Sequence, residues 1–217
     1  MCIETTQNTR RYILTMNLLF DFDGTLCDSF DSILGSLNPA LKLTIKKELT
    51  KEEIQNEGLL ALLKKYNIPL FTIPFLVILV RYRLKKTIPY LKPFPDIQLV
   101  LKELASNHTL GIVTTNSVKN VKLFLNNNDL LPYFDFVYSS TNFADKSARI
   151  RKALTIHDLK AHETYFIGDE TRDINAAKLS NVKTIAVTWG IESEKLLKKT
   201  KPNLIISKPK ELLSHFR

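Results

Sequence analysis

The stretch NLLFDFDGT, residues 17–25, is a short apolar run followed at once by two carboxylates and a glycine. The run Asn17–Phe20 is continuous rather than alternating, which is typical of a parallel strand covered on both faces. Asp21 and Asp23 would then emerge beyond the carboxyl end of that strand, where ligands bind in open α/β sheets. Gly24 permits a sharp turn and the close approach of a substrate.

The carboxylates of Asp21 and Asp23 are costly to hold side by side. At about 4 Å and an effective dielectric near 20 they repel by roughly 4 kcal/mol. A cation, or a proton held on one of them, would relieve the repulsion. Both devices suit phosphoryl transfer, since Mg²⁺ neutralises charge and a protonated acid serves the leaving group. The alternative is a turn with solvated acids, because Asp-Gly turns are common.

Four further apolar runs predict parallel strands, at 109–114, 136–139, 164–167 and 183–187. Helical patterns accompany them at 97–105, 118–126, 146–155 and 173–180. This alternation predicts a doubly wound, Rossmann-like α/β sheet. The short apolar run 204–206 is a candidate edge strand.

Residues 28–92 break this rhythm, because they contain only helical patterns, at 30–43, 51–65 and 74–86. Pro89, Pro93 and Pro95 mark the return to the α/β pattern. We therefore expect an all-helical cap, residues 28–92, inserted into a core made of residues 1–27 and 93–217.

A second pair of carboxylates follows another predicted strand, in the stretch YFIGDETRD at 165–173. Asp169 and Asp173 are four residues apart at a helix start and can face the same point. One of them could instead cap the helix. Because both carboxylate pairs lie at strand ends of one sheet, we expect Asp21, Asp23, Asp169 and Asp173 to share a hard-cation site.

Thr114, Thr115 and Asn116 end the second predicted strand with hydroxyl and amide groups. Such groups, together with the backbone N–H donors of a turn, suit the oxygens of a phosphoryl group. A polar helix cap is an equally common use of such residues.

These elements, in this order, resemble the haloacid dehalogenase superfamily, and within it the phosphoglycolate-phosphatase-like branch. That branch is indicated by DGTLCDS at 23–29, KPFP at 92–95 and AVTWG at 186–190. The resemblance runs from about residue 17 to residue 213. The residues that match the four superfamily motifs are Asp21, Asp23 and Thr25; Thr114, with Thr115 as the alternative register; Lys146; and Gly168, Asp169 and Asp173.

The third motif is only a lysine at the start of a helix, and FADK at 143–146 offers Lys146. Arg149, Arg151 and Lys152 are close enough to be alternatives.

The resemblance implies a Mg²⁺-dependent phosphatase for a small phosphorylated metabolite. Asp21 would attack phosphorus to form an aspartyl phosphate, and Asp23 would act as general acid and then base. Mg²⁺ would be held by Asp21, the Asp23 carbonyl, Asp169 and, through water, Asp173. The phosphoryl oxygens would be bound by Thr114, Thr115, Asn116 and Lys146. An acid at position 23 argues against a dehalogenase. A phosphomutase and a non-catalytic binding module are the alternatives.

The chain has a net charge of +9 and a pI near 9.4. Such charge suits nucleic acid, an anionic membrane or an acidic substrate, but a basic solvated surface explains it equally well. We expect neither a nucleic-acid nor a membrane partner, because the lysines are scattered and the most apolar stretch, 68–80, is too short to cross a bilayer. The sequence does not indicate an oligomeric state.

Two cysteines, Cys2 and Cys27, form no disulfide framework, and the polar start at 1–15 lacks the apolar run of a secretory signal. A cytoplasmic location is the simplest expectation.

The predicted cap is basic, with eleven Lys or Arg against six Asp or Glu in residues 28–92. Its third helical pattern ends in Arg81, Arg83, Lys85 and Lys86. We expect this group to steer substrate and to grip a distal anionic group on it. Simple solvation of a helix end is the alternative for each single residue.

Overall fold

One sheet of six parallel strands organises the chain, of which the computed structural model describes residues 15–139 and 145–216. The strands are β1 (Asn17–Phe20), β2 (Thr109–Thr114), β3 (Phe136–Ser139), β4 (Thr164–Gly168), β5 (Lys183–Val187) and β6 (Leu204–Ile206). The five predicted strands and the candidate edge strand are confirmed, and β4 is one residue longer than expected. Residues 1–14, most of the polar start, lie outside the described residues.

The strand order is β3-β2-β1-β4-β5-β6. The chain therefore winds outward from β1 to β3, and then returns to the other side of β1 for β4, β5 and β6. Leu18 of β1 pairs with Leu110 of β2 on one side and with Tyr165 of β4 on the other. The order reverses between β1 and β4, and in such sheets the crevice beyond the strand ends at the reversal is the usual ligand site.

Helices cover both faces of this sheet. They are α1 (Phe30–Ile45), α2 (Lys51–Glu57), α3 (Leu59–Lys65), α4 (Ile73–Thr87), α5 (Ile97–Leu104), α6 (Val118–Asn127), α7 (Lys146–Ile156), α8 (Thr171–Lys178), α9 (Glu194–Lys198) and α10 (Glu211–Phe216). Leu18 and Phe20 pack into the apolar cluster formed with α5, α6 and α10, while Leu19 packs into the cluster formed with α7 and α8. The predicted doubly wound α/β fold is confirmed.

The helical segment, residues 28–92, contains α1 to α4 and no strand, and its whole backbone is described. It has an apolar cluster of its own, centred on Leu37, Leu41 and Leu62, which Ile191 joins from the loop after β5. The division into two domains at 27/28 and 92/93 stays a prediction.

The single helix expected over 51–65 is wrong. Thr50 and Glu53 form a capping box that begins α2, and Gly58, at φ +81°, ends it and starts α3. A β-carbon at Gly58 would lie 2.8 Å from Glu192 Oε1. The backbone at the break therefore lies so close to Glu192, in the loop after β5, that a side chain at position 58 would have to displace it.

The short helices α9 and α10 were not expected, because five or six residues give too little periodicity to recognise. Phe216 of α10 packs against Tyr165 with ring centroids 4.9 Å apart. None of the described helices is both long enough and apolar enough to cross a bilayer.

Candidate active site

Three buried carboxylates meet where β1 and β4 end. The Asp21 amide donates to the Ile167 carbonyl of β4 at 2.9 Å, which fixes the turn after β1. Asp169 directly follows β4, and Asp173 lies in the first turn of α8. One oxygen from each of Asp21, Asp169 and Asp173 lies within 4.8 Å of the others, and we call these three residues the carboxylate triad.

Asp169 is held on both of its carboxylate oxygens. Thr25 Oγ1 donates to Oδ1 at 2.7 Å, and the Ile191 amide donates to Oδ2 at 2.8 Å. The backbone is crowded here, since a β-carbon at Gly190 would lie 2.3 Å from the Gly24 carbonyl oxygen and 2.4 Å from Asp169 Cβ. Glycine at 190 therefore lets two loops close around this carboxylate.

Lys146 begins α7 and reaches the triad. Its Nζ lies 2.7 Å from Asp21 Oδ2 and 2.5 Å from Asp173 Oδ1, and the side chain is buried. Two of the alternative residues, Arg151 and Lys152, are exposed. Lys146 is the position that matches the predicted lysine in geometry.

The triad carries more negative charge than Lys146 offsets. Burial favours the neutral form of Asp21, but the charges of Lys146 and Arg172 outweigh it and hold the pKa of Asp21 below its ordinary value. Burial and the neighbouring acids raise the pKa of Asp169 well above its ordinary value. Burial also raises the pKa of Asp173 to about 6, against the pull of Lys146. The Asp21 carboxylate is thus ionised, beside two acids whose ionisation a further cation would favour.

Asp23 faces away from the triad. Ser29 Oγ donates to its Oδ1 at 2.8 Å, and Asn116 Nδ2 donates to its Oδ2 at 3.0 Å. Burial and the charge of Asp21 raise the pKa of Asp23 to about 6. An acid with that pKa can give and take a proton near neutral pH. The Asp23 side chain is not in the triad, so a metal contact through its carbonyl stays a prediction.

Three of the four predicted phosphate-binding residues, Thr114, Thr115 and Asn116, lie together at the end of β2, and the fourth is Lys146 of α7. Thr114 is fully buried, and its Oγ1 accepts from the Asn116 amide at 3.0 Å. Thr115 and Asn116 line a cavity that also reaches Asp23. The Asn116 side chain is engaged by Asp23 and, through its Oδ1, by Asn120 Nδ2 at 3.1 Å. Phosphate binding by Thr114, Thr115, Asn116 and Lys146 stays a prediction.

The sequence profile of haloacid dehalogenase-like hydrolases matches residues 18–187 of this chain. The chain belongs to that family. A phosphoglycolate phosphatase of Synechococcus elongatus is 26% identical over 200 residues, which cover 90% of this chain and 94% of the relative. A pyrophosphatase (PpaX) of Bacillus pumilus is 25% identical over 217 residues, 97% of each chain. A solved haloacid dehalogenase-like hydrolase from Streptococcus pneumoniae has a TM-score of 0.79 and 28% identity, covering 94% of this chain and 99% of that one.

Several residues of this haloacid dehalogenase-like site were not chosen from the sequence. Ser29 is fully buried against Asp23, and its signal was its place at the end of the stretch DGTLCDS, 23–29, which indicated the branch but no role for this serine. Arg172 lines the cavity and donates to Glu170 Oε1 at 2.6 Å. Burial lowers the pKa of Arg172, but the charges of Glu170, Asp173 and Asp21 outweigh it and raise the pKa.

Glu192 is a buried acid beside the α8 start of this hydrolase. Its Oε2 accepts from the Thr171 amide at 2.6 Å, and burial, with the charge of Glu170, raises its pKa to about 8. No local pattern marks it, because its partner is 21 residues away in the sequence.

Proposed function

We propose that this hydrolase is a Mg²⁺-dependent phosphatase of small phosphate monoesters, with Asp21 as its nucleophile. The observation that carries the proposal is the contrast between the contacts of two neighbouring carboxyl groups. Asp21 lies 2.7 Å from the ammonium group of Lys146. Asp23 instead accepts hydrogen bonds from the neutral side chains of Ser29 and Asn116. The pKa of Asp21 is lowered, while that of Asp23 is raised to about 6. Two acids whose environments separate their pKa values in this way suit a nucleophile and a general acid.

The reaction runs in two steps. An Asp21 carboxylate oxygen attacks phosphorus, the bond from phosphorus to the ester oxygen breaks, and the leaving oxygen takes a proton from Asp23. The product is an aspartyl phosphate and a free alcohol. Asp23, now ionised, takes a proton from water as the water oxygen attacks phosphorus. The bond from phosphorus to the Asp21 oxygen breaks, inorganic phosphate leaves, and Asp21 is restored as a carboxylate.

The carboxylate triad fits Mg²⁺. Carboxylate oxygens are its preferred ligands, and its short bonds of about 2.0–2.1 Å place adjacent ligand oxygens about 3 Å apart and opposite ones about 4 Å apart. The triad oxygens lie within 4.8 Å of one another, and all three residues are buried. Asp21, Asp169 and Asp173 would hold the ion. When bound, it supplies neutralisation of charge on the phosphoryl oxygens.

The remaining residues position these groups. Lys146 Nζ contacts the carboxylates of both Asp21 and Asp173, which holds the Asp21 side chain toward the site. Ser29 and Asn116 fix both oxygens of Asp23. Thr114, Thr115 and Lys146 are proposed to bind phosphoryl oxygens, and the helical segment is proposed to act as a cap over the site. The relatives named above are named for small phosphorylated substrates, which supports a substrate of that size here.

The test compares Asp21→Asn with Asp129→Asn at saturating Mg²⁺ on a panel of phosphate monoesters. Asp129 is an exposed residue at φ +55°, a conformation that asparagine tolerates, so its variant is a matched control. Asp21→Asn should lose at least about a thousandfold in kcat because it cannot form the acyl phosphate, while Asp129→Asn should keep wild-type rates.

Chelation of Mg²⁺ should abolish turnover, and adding it back should restore it. Near-native rates for Asp21→Asn, or full activity in excess chelator, would contradict the proposal. Release of inorganic phosphate separates a phosphatase from a phosphomutase, which would return the phosphoryl group to the substrate.

A further inference from the structure

A cavity of about 110 Å³ lies between the helical segment and the carboxyl ends of the strands. At one end it is lined by polar residues of the active site: Asp23, Arg81, Thr115, Asn116, Glu170 and Arg172. All other lining residues are apolar, and nearly all come from α1, α3 and α4. The cavity thus joins the reacting groups to an apolar chamber.

The apolar wall leaves part of its side-chain surface uncovered by the rest of the protein. Ile33 and Leu34 of α1, Leu60 of α3, and Val77 and Val80 of α4 line it. Each is only half-buried, so part of its apolar surface faces open space. An engineered apolar cavity of about 150 Å³ holds a benzene ring. The whole cavity here is smaller, at about 110 Å³, so the chamber has the scale of a short alkyl chain or, at most, a small ring.

Charge is confined to the polar end. The two cations among the described lining residues are Arg81 and Arg172. Arg81 lies close enough to Asp23 for their charges to interact, and Arg172 is paired with Glu170. Arg83 donates to the Ser36 carbonyl at 2.7 Å, and Lys85 and Lys86 are exposed. Of the four basic residues expected to grip a distal anion, Arg81 alone lines the cavity, and it lies at the polar end.

A second anionic group on the substrate would weaken binding if it lay against this wall. It would lose its hydration among leucine, isoleucine and valine side chains without meeting a cation, and burying an unpaired charge is costly. An alkyl or aryl group gains instead, by about fourfold in binding for each methylene removed from water.

We infer that the substrate of this hydrolase is the phosphate monoester of an apolar alcohol, whose alkyl or aryl body lies in the chamber between α1, α3 and α4. The inference rests on the proposed phosphatase function. It separates this chain from relatives named for phosphoglycolate and pyrophosphate, because the body of each of those compounds is itself anionic.

The first experiment measures kcat/KM with Mg²⁺ for n-alkyl phosphates from ethyl to octyl, for phenyl phosphate, and for phosphoglycolate and pyrophosphate. The value should rise by about fourfold per methylene until the chamber is filled, and phosphoglycolate should be no better than ethyl phosphate. A flat series, or a tenfold preference for either anionic compound, would overturn the inference while leaving phosphatase function intact. If no compound were hydrolysed, the proposed function would fail, and the inference with it.

The second experiment fills the chamber. Val77→Phe should lower kcat/KM for hexyl phosphate at least tenfold more than it lowers kcat/KM for ethyl phosphate. Ile78→Phe is the matched control, since Ile78 is the next residue of α4 and is 61% exposed, and it should change neither value. An equal loss on both esters with Val77→Phe would contradict the inference.

If Val77→Phe does not fold, Val80→Thr places a hydroxyl of similar size in the wall. It should flatten the chain-length series, and an unchanged slope would count against the chamber as the substrate site.

Discussion

Asn116 Nδ2 lies 3.0 Å from Asp23 Oδ2, so the residue expected to bind phosphate also holds the proposed general acid. The hydrogen bond joins the end of β2 to the turn after β1 across 93 residues of sequence. It favours the ionised form of Asp23, opposing the burial that raises the pKa of that group.

Asn116→Ala should lower kcat by about ten- to a hundredfold because Asp23 loses one of its two fixed contacts. Loss of a donor to the carboxylate should also raise the pKa of Asp23, so the limb of the pH–rate profile that reports this acid should move to higher pH. Asn126→Ala, an exposed residue of α6, is the control. A fall in rate with an unmoved pH profile would show that Asn116 acts on something other than Asp23.

Lys146→Met should lower kcat by about 10²–10³, as expected on losing a positioned charge at a reacting centre. Without Mg²⁺ it should also destabilise the fold by about 3–5 kcal/mol, because Asp21 and Asp173 lose their cation, and added Mg²⁺ should recover part of that loss. Kinetics and denaturant unfolding with and without the ion check both effects. Lys152→Met, at an exposed position of the same helix, should change neither kcat nor the free energy of unfolding. A larger effect of Lys152→Met than of Lys146→Met would show that Lys146 is not the lysine of the third motif.

Gly190→Ala should lower the free energy of unfolding by at least about 2 kcal/mol, since its β-carbon would meet the Gly24 carbonyl at 2.3 Å. It should also weaken Mg²⁺ binding, because Asp169 is displaced. Gly35→Ala is the contrasting variant: nothing lies within 4 Å of a β-carbon there, and alanine in place of glycine within α1 should stabilise by about 0.5–1 kcal/mol. Unfolding titrations and Mg²⁺ isotherms measure both. Equal stabilities for the two variants would contradict the crowding described at Gly190.

Glu53 should contribute a pH-dependent part of the stability of the helical segment. Hydrogen bonds from Lys47 and from the Thr50 amide lower its pKa from 4.5 to about 2. A folded-state pKa below the unfolded value gives stability that is present above pH 4.5 and is lost as the pH falls toward 2. The ion pair with Lys47 is only partly buried, and solvent screening limits the effect to about 1 kcal/mol or less.

Wild type should therefore lose more stability than Glu53→Gln between pH 5 and pH 3, as measured by chemical denaturation. Glu52→Gln, at an exposed neighbouring position, should behave as wild type. Parallel losses in wild type and Glu53→Gln would rule out this contribution.

Much of the fold was predictable because each central strand is buried on both faces and so appears as an unbroken apolar run. Leu18, Leu19 and Phe20 form one such run, and the acids that follow it mark where the strand ends. The break at Gly58 was not predictable from apolar periodicity, because α2 contains a single apolar residue, Ile54, and the close contact of Gly58, Glu192, lies far along the chain.

The candidate site was predictable as a set of residue types but not as a set of contacts. Strand-end placement brought Asp21 and Asp169 together, as expected. The bonds that turn Asp23 toward Ser29 and Asn116 depend on side-chain directions that no local pattern encodes. The same holds for α4, where the rotation of the helix decides that Arg81 lines the polar end of the cavity while Arg83 donates to the Ser36 carbonyl.

Ile191 serves the triad with its main chain and the chamber with its side chain. Its amide donates to Asp169, while its side chain lines the apolar wall. Every residue except proline carries that amide, so mutation at position 191 alters the shape offered to the alcohol and leaves the donor to Asp169 in place. Substitutions at position 191 can therefore change the substrate that fits the chamber while the groups that carry out hydrolysis are kept.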